Sequence, residues 1–151
     1  MKVFRLCRAP YSALDGEGAR RYGGRWNSTG RSVVYASATI SLAALEYLVH
    51  LNAADAPSDL VAVTIAIPEL IALDRVLVPD LPFGWNEYLD VNACRQIGDA
   101  WLTAAAVPIL AVPAAPVPSE WNYLINPSHP QATNIRIVNE QPFHFDPRLL
   151  G

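Results

Sequence analysis

The chain has 151 residues, enough for one compact domain with a real core. Hydrophobic residues make up 52% and charged residues 17%, which allows a filled core plus an exposed apolar interface, while a formal charge of −3 argues against a general nucleic-acid binder. Two cysteines make no disulfide framework, no apolar run is long enough to span a bilayer and Met1 to Arg8 lacks a signal-peptide core, so a cytoplasmic protein without membrane contact is expected.

Val3 to Leu6 predicts a short first strand. Tyr11 to Gly24 is rich in Gly, Arg and acidic residues and reads as loop. Ser32 to Ala36 predicts a second strand, with Val33 and Tyr35 on one face and Val34 and Ala36 on the other. Ser37, Thr39 and Ser41 are each suited to cap the next helix, placed at roughly Ser41 to Asn52 by the stripe Leu42, Leu45, Leu48 and Val49. Leu60 to Ile67 is apolar apart from Thr64 and ends at Pro68, which predicts a central strand covered on both faces. Val78 to Gly84 reads as loop, and Asn86 to Ala106 as one helix with Gly98 as a point of interruption. The prolines of Pro108 to Pro118 surround Ile109-Leu110-Ala111-Val112, a pattern of short strand and rigid exit loop. Asn122 to Pro130 is turn-rich, and Ile135 to Val138 and Phe143 to Phe145 predict closing strands. With no repeat and no linker, residues 1–151 read as one α+β domain.

The chemistry concentrates in Tyr22-Gly23-Gly24-Arg25-Trp26-Asn27, Val33-Val34-Tyr35-Ala36-Ser37 and Leu42-Ala43-Ala44-Leu45-Glu46. Arg25 is a permanent cation whose planar fork grips pyrophosphate at two points, and the two glycines before it let backbone approach a ligand. As a lone loop arginine it would more often sit in an ion pair. Arg20, Arg21 and Arg31 lie close by in sequence, either as a solvated loop or as a phosphate-binding rim. Trp26 reads as the anchor of its turn. Tyr35 offers a flat face to a heterocycle, although alone it reads as a core aromatic. Glu46 borders an apolar stripe, where a carboxylate is shielded at a cost unless it has a task. Its rival role is an i, i+4 partner of His50. Such a carboxylate stabilises the positive charge that grows on a sugar ring as its leaving group departs. No metal site is expected, because His50, His129 and His144 are dispersed and no Cys-x-x-Cys is present. A Rossmann fingerprint and a Walker loop are absent too.

Those blocks, followed by Pro118-Ser119-Glu120-Trp121-Asn122-Tyr123 and Asn126-Pro127-Ser128-His129-Pro130, resemble the RES domain family over nearly the whole chain, from Phe4 to about Pro130. The family is named for its Arg, Glu and Ser, and its members are typically toxins encoded with an Xre-type antitoxin. The resemblance implies an ADP-ribosyltransferase-like fold, a split mixed sheet with flanking helices. It also implies NAD as a consumed substrate, with no cofactor. Arg25, Tyr35 and Glu46 take the catalytic places, with Arg25 on the pyrophosphate and Tyr35 at the nicotinamide end. Ser119, with Ser128 as its alternative, and Asn122 take substrate-binding places.

The reaction this implies is cleavage of the nicotinamide–ribose bond by phosphate or water, or ADP-ribosyl transfer to a protein side chain. A module that only binds the antitoxin is a different class, and the complete set Arg25, Tyr35, Glu46 and Ser119 argues against it. A nuclease toxin would need a metal cluster or a strongly basic surface. The implied partners are an Xre-type antitoxin and NAD, with room for a toxin homodimer inside the complex and no direct contact with nucleic acid.

Overall fold

The computed structural model describes residues 1–87 and 90–151. One sheet of seven strands organises it: β1 (Lys2–Arg8), β2 (Val34–Ser37), β3 (Leu60–Ala66), β4 (Leu73–Arg75), β5 (Ile109–Pro113), β6 (Trp121–Ile125) and β7 (Arg136–Pro142). Their spatial order is β4-β5-β6-β2-β1-β3-β7. The sheet is mixed, since β4 runs parallel to β5 while the other neighbours are antiparallel. Among the described residues three α-helices accompany it: α1 (Glu17–Tyr22), α2 (Ile40–Leu48) and α3 (Asn92–Ala104). This is the α+β class the sequence predicts. Among the described residues no helix is long and apolar enough to cross a membrane.

The sheet is split in its middle. β1 pairs with β3 along the full length of both strands, yet meets β2 through a single residue pair, Phe4 with Ser37. The strand alternation assigns the two faces. On one face Val3, Cys7, Val34, Ala36, Val63, Ile65, Ile109 and Ile125 form a continuous core. On the other, two separate cores form. Leu110, Val112 and Leu124 pack against Trp26, Trp85 and the α3 residues Cys94, Trp101 and Leu102. Phe4, Leu6 and Leu60 pack against Ala43, Ala44 and Tyr47 of α2. α2 and α3 therefore cover opposite halves of the same face, and a cleft opens between them above the split.

Several boundaries differ from the sequence reading. Residues 17–22 form α1 inside the stretch read as loop, with Gly16 at its N-cap and Asp15 Oδ1 accepting the Glu17 amide at 3.0 Å. The helix carrying Glu46 ends at Leu48, so His50 lies beyond it; its cap is Thr39, which accepts from the Leu42 amide at 3.1 Å. α3 begins at Asn92, where Asp90 Oδ1 accepts the Asn92 amide at 3.1 Å. Of the residues expected to precede it in the helix, Asn86 and Glu87 are non-helical, and Tyr88 and Leu89 lie outside the described residues. Gly98 does not interrupt the helix. The segment read as turns at Asn122 is β6, paired on both sides, while Phe143 to Phe145 follow β7 as non-strand residues packed under α2. β3 is covered on both faces as expected but lies next to the edge strand β7.

Candidate active site

The cleft has a volume of 1170 Å³, and Arg25, Tyr35, Glu46 and Asn122 all line it. They come from a loop, β2, α2 and β6, so only the folded chain brings them together. Arg5 and Arg95 line it as well, and Glu46 is the only carboxylate among the described lining residues. The cleft is therefore cationic although the chain is acidic overall.

Arg25 sits at the tip of a tight hairpin closed by a bridge between Gly24 and Asn27. Asn27 is fully buried beneath it. Its Nδ2 donates to the carbonyls of Ala19 at 3.0 Å, Ser28 at 3.1 Å and Arg31 at 3.0 Å. Its Oδ1 accepts the Tyr35 hydroxyl at 2.6 Å, and that hydroxyl accepts the Trp26 amide at 3.1 Å. Trp26 is buried against Trp85, with ring centroids 6.4 Å apart. α3 holds the same hairpin from outside. Arg95 Nε donates to the Gly24 carbonyl at 2.9 Å, Asp99 accepts from the Ser28 amide at 3.0 Å and from its hydroxyl at 2.5 Å, and Arg31 donates to Thr103 at 3.1 Å. Arg95, Asp99 and Thr103 are spaced i, i+4, i+8 and so share one helix face.

The glycines before Arg25 serve the protein's own packing. A Cβ at Gly24 would lie 2.6 Å from the Tyr35 hydroxyl oxygen, so the close approach is to Tyr35. Arg25 itself donates from Nη1 to the carbonyls of Trp85 at 2.9 Å and Glu87 at 3.1 Å. Those two bonds fix the plane of the guanidinium. The arginines that flank Arg25 in sequence, Arg20, Arg21 and Arg31, are engaged elsewhere. Arg20 and Arg21 both pair with Glu17, whose carboxyl they pull down to about 2, and none of Arg20, Arg21 or Arg31 lines the cleft.

Tyr35 thus has two parts. Its ring lines the cleft and its hydroxyl ties the Arg25 hairpin to β2. Burial pushes the phenol well above its ordinary value, so the hydroxyl stays protonated and is no acid–base group at neutral pH. Removing it in Tyr35→Phe leaves the buried Trp26 amide hydrogen and the Asn27 side-chain Oδ1 without these partners. Urea denaturation should show a loss of about 1–3 kcal/mol.

Glu46 accepts from Asn122 Nδ2 at 2.6 Å, and its expected rival partner His50 is beyond the helix end. Asn122 Oδ1 in turn accepts the hydroxyl of buried Ser37 at 2.7 Å. Ser119 is elsewhere. It lies on an exposed turn between β5 and β6, closed by the Glu120 amide on the Val117 carbonyl at 2.9 Å, and does not line the cleft. Ser128 is exposed as well and is absent from the lining. β6 begins at Trp121, so Ser119 lies outside the strand, in a connection whose Ala115 and Pro116 line the cleft while Ser119 does not. The serine inside the cleft is Ser37, two residues after Tyr35 and on the same strand face. That period-2 relation was the signal, obscured by its suitability as a helix cap. Arg95 had a weaker one, its place in the polar stripe of α3.

Comparison with known families matches the RES domain over residues 2–146. A protein of a Sphingobium species named Prs ADP-ribosylating toxin is 38% identical over 139 residues, covering 91% of this chain and 86% of its own. A Photorhabdus laumondii protein named Toxin Res is 37% identical over 153 residues, covering 99% and 97%. Among solved structures, the M. tuberculosis MbcT–MbcA toxin–antitoxin complex contains a chain that superimposes with a TM-score of 0.80 at 21% identity, over 99% of this chain and 86% of that one. That likeness concerns the fold.

Proposed function

This chain belongs to the RES domain family, and from that premise we propose that it is the toxin of a toxin–antitoxin pair and that it destroys NAD by breaking the nicotinamide–ribose bond. The observation that carries the reading is a cleft whose described lining holds one carboxylate, Glu46, together with Arg5, Arg25 and Arg95. Ordinary glycoside hydrolysis uses two carboxyl groups, one of them to protonate the leaving oxygen. Nicotinamide in NAD is already a cation at its ring nitrogen. When the C1′–N bond breaks, the bonding pair goes to that nitrogen and the base leaves neutral, so no acid is needed. What the reaction needs is a negative group beside the ribose as it becomes oxocarbenium-like, which Glu46 supplies. It also needs cations for the pyrophosphate, and Arg25 lines the cleft with a guanidinium whose plane is already fixed. The Tyr35 ring packs against the nicotinamide end, and Asn122 serves the same end of the site. An acceptor oxygen then bonds to that same ribose carbon and its proton passes to solvent: phosphate gives ADP-ribose 1″-phosphate, and water gives ADP-ribose.

A second reading has its own support in the relative named an ADP-ribosylating toxin. There the acceptor is a protein side chain and the steps up to the cationic ribose are identical. Purified protein incubated with NAD, with and without phosphate and with and without cell extract, separates the cases by product. No nicotinamide release under any condition would overturn both.

Arg25→Ala should lower kcat/KM for NAD by about 30-fold to several thousand-fold, since a charged partner is lost from a desolvated complex at a cost of about 2–5 kcal/mol. Arg25→Lys should recover little, because a point charge cannot keep two carbonyl bonds and a phosphate fork at once. Wild-type turnover in both variants would leave Arg25 as a structural clamp on Trp85 and Glu87.

The partner we propose is an Xre-type antitoxin that covers the cleft in the cytoplasm. Expression of the chain alone should stop growth and lower cellular NAD, and the antitoxin should restore both. Growth arrest at constant NAD would favour modification of a protein target.

A further inference from the structure

We propose that Ser37 and Asn122 form a positioning relay for Glu46, in which Ser37 decides which end of the Asn122 amide meets the carboxylate. The inference rests on Glu46 being the carboxylate beside the ribose. Ser37 and Asn122 are directly opposite each other in the β2–β6 register. The buried Ser37 hydroxyl donates to Asn122 Oδ1 at 2.7 Å, and Asn122 Nδ2 donates to Glu46 Oε1 at 2.6 Å.

An asparagine amide has one accepting end and one donating end. With the accepting end taken by Ser37, the donating end faces Glu46. The flipped amide would set its oxygen against a carboxylate oxygen and lose both bonds. A glutamate on a helix has three side-chain torsions, and one short bond to a strand residue removes most of that freedom. It also occupies Oε1 alone and leaves Oε2 for the ribose. The relay thereby joins α2 to the sheet across the cleft floor, beside the split at Phe4 and Ser37. Asn122 is a positioning residue, and its effect belongs in the chemical step.

Asn122→Ala should lower kcat for nicotinamide release about 10–100-fold, as a misplaced catalytic group does, with KM and the NAD dissociation constant nearly unchanged. Ser37→Ala should lower kcat by less, about three- to tenfold, because the amide is still present but no longer oriented. The double variant should be no worse than Asn122→Ala alone, since both act through one carboxylate. The side-chain amide signals of Asn122 in ¹H–¹⁵N spectra, assigned by their loss in Asn122→Ala, should move in both Ser37→Ala and Glu46→Gln. A rise in KM and dissociation constant that accounts for the loss would make Asn122 a direct ligand group and overturn the relay. So would additive losses in the double variant, or amide signals that stay in place in both single variants. If the wild-type protein releases no nicotinamide, the NAD reading fails, and the amide signals still decide the relay by themselves.

Discussion

Glu46→Gln is expected to bind NAD only slightly more weakly than the wild type and to release nicotinamide about 10²–10³-fold more slowly, the loss typical of removing one preorganised electrostatic group from a transition state. The substitution isolates charge. Glutamine has the same length, and its Oε1 still accepts from Asn122 Nδ2, so the 2.6 Å contact and the position of the side chain are retained. What disappears is the negative charge beside a ribose that turns cationic. No other carboxylate among the described residues lines the cleft to replace it. Ground-state NAD already carries its positive charge on the nicotinamide ring, so some binding energy is lost, but the larger effect falls where charge moves onto the sugar. Calorimetry for binding and a nicotinamide-release assay for turnover check the two halves separately. Unchanged release would make Glu46 a structural partner of Asn122 and remove the electrostatic core of the proposed mechanism.

Much of this site was legible in the chain because its parts lie in short blocks with distinct local signals. Glu46 at the border of the Leu42–Leu45–Leu48 stripe does sit half-buried at a cleft wall, and Trp26 does anchor its turn. Other parts were hidden for physical reasons. α1 is six residues long and begins after a glycine, too short for periodicity to reveal; it is held by Asp15 and by the Glu17–Arg20–Arg21 cluster. β4 is three residues long and exists through its parallel pairing with β5, a contact between segments far apart in sequence. β6 was masked by Asn122 and by the turn residues after it. Its Trp121, Tyr123 and Ile125 fit a strand, and pairing on both sides outweighs the turn preference of one asparagine. Ser119 followed the order of blocks in the chain, whereas the cleft is set by strand register, which brings Ser37 to Asn122 instead.

Gly98→Ala is expected to destabilise the protein although it improves the helix. In the middle of α3 an alanine is favoured over glycine by about 1 kcal/mol through propensity alone. Gly98, however, is where the backbone of the Arg25 hairpin presses onto α3. A Cβ there would fall inside the van der Waals envelope of the Trp26 carbonyl oxygen and 2.7 Å from its carbonyl carbon. These are main-chain atoms and cannot swing aside as a side-chain tip would. Trp26 is itself wedged against Trp85, and its amide is bonded to Tyr35. Relief therefore requires hairpin and helix to separate, which strains the bonds from Arg95 to Gly24 and from Ser28 to Asp99. Overpacking of this kind costs typically about 1–3 kcal/mol and more when backbone must move. The net effect after the propensity gain should be a loss of about 2 kcal/mol, read as a lower urea midpoint at unchanged slope. Turnover should fall further than the fraction unfolded, because the displaced segment carries Arg25. Gly98→Ser, with a larger side chain at the same contact, should be worse on both counts. An alanine variant more stable than wild type would show that propensity wins and that the hairpin is not pinned at this point. A destabilised variant with full turnover per folded molecule would show that Arg25 does not depend on the register between the hairpin and α3.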